Sequence, residues 1–302
     1  MNVVFGVDIG GTEIKIGKFH QGKLLTKIAI KTTNENEGKQ ILPSIFHTID
    51  QMADHDQIIG IGLGVPGPVV DGVVLGAQNL NWKRVEASKL ILEKYPNINV
   101  AILNDANAAT LGEMAYGGGR KFSNFVFLTI GTGIGGGIVI NEQLVEGYTG
   151  STGEIGHIRV AFNNERQCTC GLYDCLEQYA SATGLVKTVK LLLLNQTSLI
   201  NGNDITAENI FNFAKKNDEV CLKAVELMVE KLATALAAIA NTVNPEAFVI
   251  GGGVSKAGQF LLDKVEKRFK ELAFFSVRST EFHLAELGND AGIYGTSYAA
   301  SK

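Results

Sequence analysis

Cys168, Cys170 and Cys175 form a C-x-C-x4-C pattern, and His157 lies eleven residues before the first of them. Three thiolates and one imidazole make a complete tetrahedral set for zinc. Such a set leaves no open position for an activated water, so the spacing predicts a structural site rather than metal-dependent hydrolysis. Thiols without a metal are the plainer alternative. Glu154 and Glu177 flank the ligands, and a metal there would fix the direction of both side chains. Two carboxylates and a histidine in so short a stretch would also suit a carboxylate-pair hydrolase.

Glycine-rich turns argue for different chemistry. Residues 3–19, VVFGVDIGGTEIKIGKF, read as strand, bend and alternating strand, with Asp8 just before the bend. Glycine there permits positive φ and removes the Cβ, so the N–H groups of Gly10, Gly11 and Thr12 can approach a phosphate oxygen. An ordinary hairpin turn explains the same residues. The pattern recurs at FVFLTIGTGIGGGI, residues 125–138, where Gly10 falls on Gly131 and Gly11 on Thr132, an offset of 121, with Gly133 following. A third apolar run leads into Gly251-Gly252-Gly253 and then a predicted helix. No G-x-x-x-x-G-K-[ST] is present, and the second turn leads into a strand rather than a dinucleotide-binding helix. A hydrolase of glycosides has no use for phosphate cradles, whereas a kinase needs them beside a polar pocket.

Candidate pocket residues lie between the first two turns. Gly67 follows the run IIGIGLGVP, and Asn79 sits in the polar stretch GAQNLNW, where its amide offers both a donor and an acceptor for a hydroxyl. Plain turn residues are the alternative there. The strand VAIL ends at Asn104 and Asp105, before an alanine-rich helix. A carboxylate at a strand's carboxyl end stands where open α/β sheets bind ligands and can accept a proton, although a helix N-cap accounts for the same residue. Gly117-Gly118-Gly119 ends that helix and is expected to form a flexible crossing.

The elements that must hold these residues are mixed α/β, and residues 178–302 are mainly helical in pattern. Cys221 and the run KLLLL at 190–194 are expected in helix core. With 302 residues and 45% hydrophobic content, two packed domains are expected. A net charge of -4 supplies no basic field for nucleic acid or an anionic membrane. No apolar run approaches the ~18 residues of a membrane helix, and no signal-peptide pattern opens the chain. A cytoplasmic enzyme with a small-molecule partner is the resulting expectation, and clustered cysteines in that reducing compartment favour metal over disulfides.

At these residues the chain resembles the ROK family (repressors, open reading frames and sugar kinases), along essentially its whole length. DIGGT at 8–12 and TIGTGIGGG at 129–137 are similar to the family's two phosphate loops, and LNDANAA at 103–109 to its catalytic segment. GEIGH at 153–157 and CTCGLYDCLE at 168–177 resemble its signature and zinc motif. One departure is Asp174, where the family usually has glycine before the third cysteine; an altered turn is expected, since Asp enters left-handed backbone less readily than Gly.

The resemblance implies an α/β, actin/hexokinase-like (ribonuclease H-like) duplicated fold of two domains with a central cleft. The smaller domain would span 1–116 with the C-terminal helix at about 290–302, and the larger 117–289 with the zinc segment 157–175. It also implies a homodimer. Family repressors carry a DNA-binding segment before the first phosphate loop, whereas seven residues precede Asp8, so no nucleic-acid partner is expected. The PGPV and QNLNW segments look most like those of the family's bacterial glucokinases.

By that likeness ATP would be bound with Mg2+ at Asp8, with Gly10 to Thr12 and Gly131 to Gly133 on its phosphates and Gly251 to Gly253 near the adenosine. Glucose would be held by Gly67, Asn79, Asn104, Asp105, Glu154, His157 and Glu177, with Asp105 as general base toward the 6-hydroxyl. A kinase for N-acetylmannosamine, fructose or mannose, or a non-catalytic sugar sensor, is the alternative.

Overall fold

The apolar run that opens the chain is strand β1 (Asn2–Ile9), and the alternating run after the Gly10-Gly11 bend is β2 (Glu13–His20). They pair antiparallel, with Asp8 opposite Lys15 and Ile9 opposite Ile14. This hairpin begins a computed structural model that describes residues 1–200 and 202–302. The chain divides into two compact units, the first comprising Met1–Lys121, Gly137–Thr152 and Glu286–Lys302, the second Phe122–Gly136 and Gly153–Ala285.

In the first unit, β3 (Lys23–Lys31) pairs with β2, and α1 (Ile41–Ala53) follows. β4 (Gln57–Val65) runs parallel to β1. β5 (Val69–Val70) and β6 (Val73–Val74) form a small hairpin ahead of α2 (Ala87–Lys94). β7 (Asn99–Asn104) completes a five-stranded sheet of order β3-β2-β1-β4-β7 and leads into α3 (Asp105–Tyr116).

The two-residue period of a strand sorts this sheet's faces. Val3, Phe5, Val7 and Ile9 of β1 join Ile61, Leu63 and Val65 of β4 in one core cluster with Ile45 and Ile49 of α1. The intervening residues Gly6 and Asp8 face the chain's last helix, which spans Ala291–Ala300. That helix lies directly on sheet and α3: a Cβ on Gly62 would collide with the Thr296 carbonyl, and one on Gly295 with the Ala108 carbonyl.

The second sheet consists of β8 (Phe125–Ile130), β9 (Ile134–Ile140), β10 (Gln143–Leu144), β11 (Ala247–Gly251) and β12 (Glu281–Leu284). Its order, β10-β9-β8-β11-β12, repeats that of the first, with β11 parallel to both β8 and β12. The sequence repeat is thus a repeat of topology. Between β10 and β12 come α4 (Glu177–Ala180), α5 (Ala182–Leu192), α6 (Ala207–Ala214), α7 (Glu219–Val243) and α8 (Gln259–Leu272); Ala291–Ala300 is α9.

α7 is capped by Asp218, which accepts the Cys221 N–H at 3.0 Å, and it ends at Asn244 in left-handed geometry, φ +51°. Cys221 is fully buried on its core stripe, and burial pushes its thiol up to about 12, which suits an inert core residue.

Two expectations are corrected. The run Lys190–Leu194 is not core: α5 stops at Leu192, and Leu191 and Leu194 are 49% and 75% exposed. After Gly251-Gly252-Gly253 comes a 3-10 turn over Gly253–Ala257, and the helix starts only at Gln259. Among the described residues no helix is long and apolar enough to cross a membrane.

Candidate functional site

Parallel strands β1, β4 and β7 end at one edge of the first sheet, with Asp8 in register with Gly64, and Val65 with Asn104. At ~4.8 Å per strand this register sets the ends of β1 and β7 about 10 Å apart. Asp8 is half-buried, and a Cβ on Gly292 of α9 would lie 2.8 Å from its carboxyl carbon. Burial holds its carboxyl above the usual range, and the Lys15 charge opposite only partly offsets this. A carboxylate so placed gains from a cation.

The first turn is tighter than expected from its glycines. The Gly10 N–H donates to the Glu13 carbonyl at 2.9 Å, and Thr32 Oγ1 donates to the Gly10 carbonyl at 2.7 Å. The amides that remain to meet a phosphate are those of Gly11 and Thr12. Neither Gly10 nor Gly11 has positive φ, so the reason for glycine is space. A Cβ on Gly11 would stand 3.3 Å from that of Asn79, which brings this exposed asparagine to the loop. Asn34, which the sequence did not single out, donates to the Asn79 carbonyl at 3.3 Å.

Asn104, not Asp105, is the N-cap of α3. Its Oδ1 accepts the N–H groups of Ala106 at 2.9 Å and Asn107 at 3.2 Å, while its Nδ2 donates to the Gly67 carbonyl at 3.3 Å. Asn104 thereby ties Gly67 to the helix start and leaves Asp105 as the first helical residue, exposed, with Oδ1 2.8 Å from the Ala106 amide. A side chain at this position faces the positive end of the helix dipole.

At the far end of α3, Glu113 is fully buried and accepts backbone N–H groups from Gly118 at 2.7 Å, Glu286 at 3.0 Å and Leu287 at 2.9 Å. It pins the Gly117–Gly119 turn that the sequence suggested as a flexible crossing. A glutamate on a helix gives no sequence signal for such a role.

The second unit carries the other predicted residues. The ligand atoms of His157, Cys168, Cys170 and Cys175 all lie within 4.8 Å of one another. Cys170 and Cys175 Sγ are 3.7 Å apart, and Cys168 Sγ is 3.6 Å from His157 Nδ1. A tetrahedral zinc with ~2.3 Å bonds to sulfur requires edges of about 3.8 Å, so the cluster fits the ion. All four cysteines are free thiols. Burial and the two neighbouring thiols push Cys175 up to about 12, while the Leu172 amide holds exposed Cys170 below its ordinary value. His157 Nδ1 faces the cluster, and its Nε2 lies 3.9 Å from Oε2 of exposed Glu154.

Glu177 opens α4 and joins two features of this unit. Its Oε1 accepts from Cys168 Sγ at 3.1 Å, and its Oε2 is 2.9 Å from where a Gly133 Cβ would stand. In the Gly131–Gly133 turn, the Gly131 N–H donates to the Gly133 carbonyl at 2.9 Å and its carbonyl accepts from Ala182 at 2.8 Å. Thr132 and Gly133 therefore hold the amides left for a ligand, as Gly11 and Thr12 do in the first turn. Gly252, at φ +82°, packs on the end of β8, where a Cβ would meet the Ile130 backbone at 2.5–2.7 Å; nothing lies within 4 Å of one on Gly253.

The chain is 39% identical to a glucokinase of Halalkalibacterium halodurans, over 96% of this chain and 92% of that one. It is 32% identical to a xylose repressor of Caldicellulosiruptor bescii, over 90% of this chain and 71% of that protein. The crystal structure of a ROK family glucokinase from Streptomyces griseus in complex with glucose and AMPPNP superposes with a TM-score of 0.80 at 32% identity, covering 99% of both chains. The fold is α/β and of the actin/hexokinase-like type. Residues 4–302 match the ROK family, and the chain belongs to it.

Proposed function

We propose that this protein is an ATP-dependent sugar kinase that phosphorylates glucose at its 6-hydroxyl, releasing glucose 6-phosphate and ADP. The observation that carries the reading is the shared edge of the first sheet, where Asp8 stands at the end of β1 beside the Gly11–Thr12 amides and Asp105 directly follows β7, with β4 between the two strands. The likeness to a glucokinase that binds glucose and AMPPNP supports the choice of ligands.

In this reading Gly11, Thr12, Thr132 and Gly133 donate amides to the phosphates, and Gly251 to Gly253 border the adenosine. Asp8 would hold Mg2+, which neutralises charge on the transferring group. Gly67, Asn79, Asn104, Glu154, His157 and Glu177 recognise sugar hydroxyls. Asp105 accepts the 6-hydroxyl proton as that oxygen attacks the γ-phosphorus. A loose transition state releases the proton late, so the orientation of this carboxylate matters more than its basicity. The Cys3His cluster would hold structural zinc and set the direction of Glu177 and His157. In the same reading the domains span 1–116 with 290–302 and 117–289, and the working form is a cytoplasmic homodimer.

ADP release measured across a panel of sugars, with a no-sugar control, tests the proposal. Glucose-dependent ADP with no signal from N-acetylmannosamine, fructose or mannose is the expected result. A second reading, a sugar sensor without turnover, is favoured by the xylose repressor match; glucose binding without ADP release would establish it in place of the first.

A further inference from the structure

Asp174 stands just before the third cysteine, where the motif it resembles carries glycine. It takes up the left-handed backbone that glycine would, at φ +60°, and is fully enclosed. Its Oδ2 accepts the Asn164 N–H at 2.7 Å. Its Oδ1 accepts the Glu165 N–H at 3.1 Å, the Arg166 N–H at 3.0 Å and the Tyr179 hydroxyl at 2.8 Å. Its own N–H donates to the Arg166 carbonyl at 2.8 Å, and its carbonyl accepts from Val160 at 3.0 Å.

Three consecutive amides around one carboxylate form an anion nest closed from within the chain. Tyr179 stacks under the Arg166 guanidinium at 4.2 Å, and that guanidinium donates to the Gln178 carbonyl at 2.7 Å and Thr188 Oγ1 at 3.0 Å. The nest therefore anchors residues 164–166 to Asp174, through Tyr179 to α4, and through the Arg166 guanidinium to α5. With glycine at 174 the turn would still form, and three amides and a phenol would lose their acceptor.

We propose that Asp174 is a positioning residue for the metal: it shapes the loop bearing Cys168, Cys170 and Cys175 before zinc arrives. The ligands then bind without the cost of ordering that loop, so zinc is held more tightly and released more slowly than with glycine there. The inference rests on the zinc reading of the Cys3His cluster.

The test compares wild type with Asp174→Gly, Asp174→Asn and Tyr179→Phe. Zinc affinity and release are measured against a chromophoric chelator, and amide hydrogen exchange at 164–166 is followed in zinc-stripped protein. Asp174→Gly is expected to weaken zinc binding by about 10- to 100-fold, the range for outer-shell partners of metal ligands, and to abolish protection of the three amides. Asp174→Asn keeps the turn but turns one acceptor into a donor, so it falls between; if the glycine variant does not fold, this variant decides. Tyr179→Phe leaves the amides their acceptor and has the smallest effect.

Wild-type zinc affinity in both Asp174 variants, or unprotected 164–166 amides in zinc-stripped wild type, overturns the proposal. Wild type that binds no zinc refutes the metal reading instead, and amide exchange alone then decides the role of Asp174.

Discussion

Cys168 Sγ lies 3.1 Å from Glu177 Oε1, so the metal cluster stands against a carboxylate proposed to bind the sugar. Loss of the metal is therefore expected to be felt in sugar recognition. Cys170→Ser replaces the exposed ligand, should lose bound zinc, and should weaken glucose binding at least ~10-fold by calorimetry. A variant that binds glucose normally without zinc removes the ordering role.

Asp105→Asn keeps the shape of the side chain at the start of α3 and removes the proton acceptor. General-base assistance contributes ~10²- to 10⁴-fold, so turnover should fall by at least the lower figure while glucose affinity is retained. Near-normal turnover would sink the assignment.

Asp8 carries a linked prediction of stability and pH. Its folded pKa lies above the usual 3.8, so below that value both folded and unfolded chains bind the proton and nothing is lost. As pH rises past about 4 the unfolded chain ionises first, and the fold loses stability until its own carboxyl has ionised. Asp8→Asn is thus expected to raise Tm at pH 7, with the gap from wild type closing as pH falls toward 4, while kinase turnover drops. A lower Tm than wild type at pH 7 contradicts this account.

Gly252 and Gly253 make a paired control. Alanine at 252 must adopt φ +82° and press on the Ile130 backbone at 2.5–2.7 Å, and it should cost about 1–3 kcal/mol in denaturant titrations. Since Ile130 leads into Gly131, the KM for ATP should rise as well. Gly253→Ala meets open space and should change stability by less than ~0.5 kcal/mol. Equal effects from the two substitutions would refute the steric argument.

The duplicated sheets and the cysteine cluster were legible because strand alternation, glycine bends and thiol spacing are local signals. The repeat Gly10 on Gly131 appears as two hairpins whose first glycine N–H is spent inside its own turn. Which amides stay open for a phosphate is decided by the register beyond the bend, which glycine content does not encode. The cap shifted by one residue, from Asp105 to Asn104, because both types cap equally well and the Gly67 carbonyl selects the first. Glu113 works on residues more than 170 positions away, and Asp174 on amides eight to ten positions back, so neither role has a local pattern. The leucines at 191 and 194 misled because a run of one residue type has no helical period to show which side faces water.

α9 has a consequence for the order in which the protein is made. Its residues Ile293 and Thr296 abut the glycines of β1 and β4, and Gly292 borders Asp8, yet it follows α3 by some 170 residues. At ~5–20 residues per second, a ribosome completes β1 to α3 roughly 10–30 s before the helix that covers their second face exists. During that interval the glycine-lined face of the sheet stays open, and Asp8 is solvated like any surface carboxylate. The burial that raises its pKa is acquired only when the last helix docks.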